Sequence, residues 1–149
     1  MSVGIGIHPE LLIVDDNPAD IVLAREALSG SKYSVQISSV EDGEEALAFL
    51  NHREQYLNTM RPGLVLLDLN LPKKDGKAVL AAMKTDPELR CIPVIVFSTS
   101  KLGRDIARSY ELGANCYVSK PGNLIDFFSA IKLIEEFWFG LVIAPPRGE

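Results

Sequence analysis

The chain has 149 residues, 47% of them hydrophobic and 23% charged, which suits one domain around one core and excludes a disordered segment. Its formal net charge of −5, with no long run of Lys or Arg, argues against direct nucleic-acid binding. Cys91 and Cys116 lack a CxxC spacing, and His8 and His52 stand apart from other ligand types, so a zinc site has no support.

Residues 1–9 read as a loose leader, without the basic start and apolar core of a secretory signal. No apolar run approaches the roughly 18 residues of a membrane span, and Phe137–Ala144 is interrupted by Gly140. The expectation is a soluble cytoplasmic protein, with both cysteines as small buried thiols of a reducing compartment.

The first strand is expected at Leu11–Val14, followed by Asn17-Pro18 as a helix cap and a helix to about Ser29. Tyr33–Val40 reads as an outer strand, Asp42-Gly43 as a turn, and Glu44–Leu50 as a short helix that extends part way into the polar stretch before Pro62. A third strand, Leu64–Leu67, runs into Asp68, a turn at Pro72–Gly76 and a helix at Lys77–Thr85. Val94–Phe97 is the fourth strand, Arg104–Leu112 a helix closed by Gly113, and Asn115–Ser119 the fifth strand. The last helix, Asn123–Phe139, places Leu124, Phe127, Ile131, Ile134 and Trp138 on one stripe. Strand and helix thus alternate five times, which argues a parallel sheet with helices on both faces, in one of a few doubly wound orders.

In such a sheet the strand ends meet at the carboxyl edge, where open α/β folds bind ligands. Here those ends carry Asp15-Asp16, Asp68, Ser98-Thr99 and Lys120. Clustered carboxylates call for a cation, and a small set of hard oxygen ligands suits Mg²⁺. A metal, a lysine, a hydroxyl and a free carboxylate together make a phosphoryl-transfer site with the carboxylate as in-line nucleophile.

The set Asp15-Asp16, Asp68, Ser98 and Lys120-Pro121, with LPKKDG after Asp68, resembles the receiver domain of two-component response regulators over about residues 9–139. The resemblance implies a flavodoxin-like fold with strand order 2-1-3-4-5. It implies that Asp68 accepts a phosphoryl group from a sensor-kinase histidine. Asp16, Asp68 and the backbone carbonyl of Asn70 would bind Mg²⁺ directly, and Asp15 through water. Lys120 would pair with the phosphoryl oxygens, Ser98 would swing toward them, and Tyr117 would turn inward as the second switch residue. Gly122, where many receivers carry phenylalanine, and Thr99 beside Ser98 depart from the common pattern.

DLNLPKKDG, the insertion before the third strand, ELGANCYVSKP and a last helix ending in EEFW are similar to the small response regulators that partner cyanobacterial phytochromes. That likeness implies a receiver standing alone, with 10–139 as the domain, 140–149 as a tail and a phytochrome-type kinase as partner. Phe128, Phe137, Phe139, Leu141, Val142 and Ile143 lie partly off the helical stripe or follow it, so a homodimer through the C-terminal half is expected. An aspartyl phosphatase of the haloacid-dehalogenase type is disfavoured, because DDNPAD does not match DxDx(T/V). A flavodoxin-like cofactor binder is disfavoured because Asp15-Asp16 would repel a phosphate.

Overall fold

A computed structural model describes residues 9–143 and 145, so most of the expected leader and the end of the tail lie outside the described residues. The elements run β1 (Glu10–Val14), α1 (Pro18–Leu28), β2 (Gln36–Val40), α2 (Gly43–Leu50), β3 (Leu64–Leu67), α3 (Gly76–Thr85), β4 (Val94–Ser98), α4 (Gly103–Glu111), β5 (Cys116–Ser119) and α5 (Leu124–Gly140). All strand pairs are parallel, and the sheet order is β2-β1-β3-β4-β5, the flavodoxin-like arrangement.

The apolar runs form strands because they are buried on both faces: every residue of β3 and β4 is buried. Alternate side chains divide between two cores. Leu12, Val14, Val65, Leu67, Val94 and Val96 pack under α2 and α3, with Leu112 at the end of α4 beside them. Leu11, Ile13, Leu64, Leu66, Ile95 and Phe97 face α1 and α5, which lie side by side. Helix starts are fixed by side-chain caps: Asn17 Oδ1 accepts from Ala19 N–H at 3.0 Å, Asp42 Oδ1 from Glu45 N–H at 2.7 Å, and Asp75 Oδ1 from Ala78 N–H at 2.9 Å. Asn123 Oδ1 accepts from Asp126 N–H at 2.9 Å, so α5 starts firmly despite Gly122. Gly113 ends the α4 segment at φ +108°, as its expected capping role requires.

Four local expectations are corrected. β2 begins at Gln36 rather than Tyr33, because Ser34 adopts φ +53° and its N–H donates to the Ser31 carbonyl at 3.2 Å, closing a turn. α2 stops at Leu50 instead of extending, since His52 and Glu54 at φ +57° and +56° break the helix, leaving one 3₁₀ turn at Glu54–Tyr56. Cys91 is exposed and Cys116 half-buried, so neither is a buried thiol. The inward face of α5 carries Phe127, Ile131, Glu135 and Phe139 at strict four-residue spacing, while Leu124 is 56% exposed and Ile134 and Trp138 border the core. The buried Glu135 in the middle of that row disguised it.

Candidate functional site

The backbone ladder runs one step past the strands and so fixes the residues at their ends. Asp15 N–H donates to the Val40 carbonyl at 3.1 Å, Asp68 N–H to Val14 at 2.9 Å, and Lys120 N–H to Ser98 at 2.8 Å. The register places Val14 beside Leu67, Leu67 beside Val96, and Ser98 beside Ser119. The residues following these strands therefore converge at one carboxyl edge.

Asp15, Asp16 and Asp68 bring carboxylate oxygens within 4.8 Å of one another. Asp15 and Asp68 are buried and Asp16 is exposed, so the cluster opens to solvent on one side. Asp68 Oδ1 accepts from the Asn70 N–H at 3.4 Å, which folds the loop after β3 back over the carboxylate. Asp16, Asn70, Asp75, Lys77 and Asp105 line an open groove of about 330 Å³ beside the cluster.

Lys120 is buried among the acids. Its ammonium donates to Asp15 Oδ2 at 2.7 Å, Asp20 Oδ2 at 2.8 Å and Asp68 Oδ2 at 3.0 Å. Burial pushes the Asp15 carboxyl up to about 6, against the hydrogen bonds from Lys120 and from Asn17 N–H. Burial alone would lower the Lys120 pKa, but the hydrogen bonds to Asp15 and Asp20 and the charges of Asp15 and Asp68 override it, and the ammonium is held above its usual range. The lysine is a permanent cation at neutral pH.

Asp20 was not singled out by the sequence reading. It lies in the first turn of α1, where an acidic residue is ordinary because it complements the helix dipole. The signal available was DDNPAD itself, in which a capped helix start follows the acidic pair closely enough to return a fourth carboxylate to the pocket.

Ser98 is fully buried, and its Oγ accepts from the Ser100 N–H at 3.3 Å. Tyr117 is half-buried on the same face of the sheet, as its strand position predicts. Its hydroxyl donates to the Ser100 carbonyl at 2.7 Å, and its N–H donates to the Tyr110 hydroxyl at 3.1 Å. Ser100 Oγ donates to Asp105 Oδ2 at 2.6 Å, and Lys77 Nζ donates to Asp105 Oδ1 at 2.6 Å. Ser98, Tyr117, α3 and α4 are thus joined through the loop that holds Ser100. Thr99 is exposed beside Ser98.

Chemically, the arrangement offers an oxygen ligand set for a hard divalent cation, a carboxylate within reach of a fixed positive charge, and a buried hydroxyl hydrogen-bonded to a loop. Comparison with known proteins gives a matching context. The model of the response regulator receiver domain matches residues 11–132. Response regulator Rcp1 of Synechocystis sp. is 46% identical over 135 residues, covering 91% of this chain and 92% of that protein. Among solved structures, the phosphorylated cyanobacterial phytochrome response regulator RcpA superposes with a TM-score of 0.90 at 49% identity, covering 93% of this chain and 99% of its own. The Mn²⁺-bound form of Rcp1 superposes with a TM-score of 0.88 at 45% identity, covering 92% of this chain and 99% of its own. By that match, and by a sheet in the strand order that the family resemblance implied, the chain belongs to the response regulator receiver domain family.

Proposed function

We propose that this protein is a response regulator that accepts a phosphoryl group from a sensor-kinase histidine onto Asp68 with Mg²⁺ and signals by a change of conformation. The observation that carries this reading is the Lys120 ammonium 3.0 Å from the Asp68 carboxylate, in a pocket where Asp15, Asp16 and Asp68 present oxygens within 4.8 Å of each other. Asp16, Asp68 and the Asn70 backbone carbonyl would hold the metal, with Asp15 bound to it mainly through water. Their all-oxygen donor set suits Mg²⁺, whose charge, when bound, neutralises phosphoryl oxygens.

In the transfer, an Asp68 oxygen forms its bond to phosphorus as the bond from phosphorus to the kinase imidazole breaks. Lys120 supplies a second positive charge at the phosphoryl oxygens. Ser98 then turns toward the phosphoryl group, drawing on the loop at Ser100, and Tyr117, tied to the Ser100 carbonyl, follows inward. No separate turnover substrate is expected. Similarity to a phytochrome response regulator, at 49% identity, supports a phytochrome-type kinase as donor, and with it a cytoplasmic location. No described helix is long and apolar enough to cross a membrane. Leu133, Phe137, Leu141 and Ile143 are exposed on α5 and just past it, which supports a homodimer through this end.

Incubation with acetyl phosphate tests the core of this reading. Mg²⁺ should allow close to one equivalent of label, and a chelator or Asp68→Asn should abolish it without unfolding the protein. Label on the Asp68→Asn variant, or repeated phosphate release beyond one equivalent from a generic phosphate ester, would refute it.

A further inference from the structure

An ammonium group has three N–H donors, and Lys120 commits them to three carboxylates, Asp15, Asp20 and Asp68. The three acceptors are not equivalent. Asp15 and Asp68 belong to the oxygen cluster that fits a metal, and Asp20 does not. A cation held by that cluster would draw on the charge of two of the carboxylates that Lys120 uses. A phosphoryl group on Asp68 removes that carboxylate altogether as an anionic acceptor. Asp20 keeps its charge free for Lys120 throughout.

The mounting of Asp20 suits an anchor. It projects from the first turn of α1, behind the Asn17 cap and Pro18, and its own N–H donates to Asn17 Oδ1 at 3.3 Å. Its side chain is 21% exposed, against 6% for Asp15, so its ionised form costs less in lost hydration.

We infer that Asp20 is a positioning residue: it holds one N–H of Lys120 while Asp15 and Asp68 engage the metal, and so keeps the ammonium aimed at the incoming phosphoryl group. The inference rests on Asp68 being the phosphoacceptor. Asp20 itself touches neither metal nor phosphorus. Charge alone predicts the opposite sign. A fourth carboxylate near a dianionic phosphoryl group should repel it, and removing that carboxylate should speed the reaction. The anchor role predicts that removal slows it.

The test compares wild type, Asp20→Asn, Asp20→Glu, Lys120→Met and the Asp20→Asn/Lys120→Met double variant, each checked by thermal melting. Labelling by acetyl phosphate at saturating Mg²⁺ is followed by mass spectrometry over hours, and beryllofluoride and Mg²⁺ affinities are measured alongside. Asp20→Asn should lose roughly tenfold in labelling rate and in beryllofluoride affinity, the scale of a charge-assisted hydrogen bond reduced to a neutral one. Mg²⁺ affinity should change by less than about threefold, since Asp20 is no ligand, and Asp20→Glu should recover most of the loss. In the Lys120→Met background Asp20→Asn should add almost nothing, because the two act as one unit. An unchanged or faster rate in Asp20→Asn overturns the anchor, as does an equal loss with Lys120 removed. Wild-type protein that takes no label would instead overturn the role of Asp68.

Discussion

Gly76 opens α3 immediately behind the loop that follows Asp68, the proposed phosphoacceptor, and alanine there would test how tightly that loop is held. A Cβ at Gly76 would overlap the Asp68 carbonyl oxygen and stand 2.6 Å from the Leu69 Cα. Both neighbours are backbone, so no side chain can swing aside. Ordinary Cβ contacts begin at 3.4 Å, and the Gly76 N–H is already tied to the Leu69 carbonyl at 2.8 Å. The loop and helix must therefore part by roughly 1 Å, an overpacking that costs about 1–3 kcal/mol. Better helix propensity returns at most about 1 kcal/mol of this. For a domain of this size the net loss lowers the melting temperature by about 3–8 °C. The effect on labelling should be larger, since a ~1 Å misplacement of a reacting group costs on the order of 100-fold. Gly103, at the first position of α4, is the matched control, because a Cβ there meets nothing within 4 Å. Gly76→Ala and Gly103→Ala are compared by thermal melting and by acetyl phosphate labelling. Gly76→Ala labelling at the wild-type rate, or Gly103→Ala failing as badly, would refute the reasoning.

Ile131→Ala, at a position 2% exposed between α5 and the sheet, should cost about 2–5 kcal/mol in urea unfolding. Asp42→Ala removes the cap on Glu45 N–H and should cost about 0.5–2 kcal/mol, read the same way, with labelling little changed. Asp15 titrates at about 6 in the fold against an ordinary value of 3.8, because of burial. The folded state binds this proton more tightly, so its contribution to stability is complete below about pH 4 and is lost as pH rises through about 6. In metal-free buffer, the stability of wild type relative to Asp15→Asn should fall by about 1–3 kcal/mol between pH 4 and 7, and a flat difference would contradict the assignment.

The sequence made the alternation of strands and helices legible because four short apolar runs and one β-rich alternating stretch before Val40 are each bounded by turn residues. It pointed to one candidate site because strand ends of a parallel sheet must share one edge, and Asp15, Asp16, Asp68 and Lys120 do meet there. Strand order came from the family resemblance, since alternation alone left several doubly wound arrangements open. The contact of Asp20 with Lys120 joins residues far apart in the chain, and an acid in the first turn of a helix already has a local explanation. The facing of α5 was misread because apolar residues are dense enough to draw two stripes, and tertiary contact with α1 selects the one that contains Glu135. The end of α2 and the start of β2 depend on left-handed Ser34, His52 and Glu54, residue types that do not announce such a conformation as glycine does.

The late place of Lys120 in the chain has a consequence for how the chain is made. Asp15, Asp16, Asp20 and Asp68 all leave the ribosome before Lys120, which follows Asp68 by 52 residues and Asp15 by 105. A nascent chain that has paired β1 with β3 holds the acids close together before Lys120, the ammonium that bonds three of them, has been made, a repulsion that works against early closure of the sheet. The strand that brings Lys120 leads directly into α5, the helix that packs beside α1. Charge balance and the shielding of the first helix therefore come in the same stretch of synthesis. Release of β5 and α5, rather than assembly of the first half, should be the event that commits this domain to its native state.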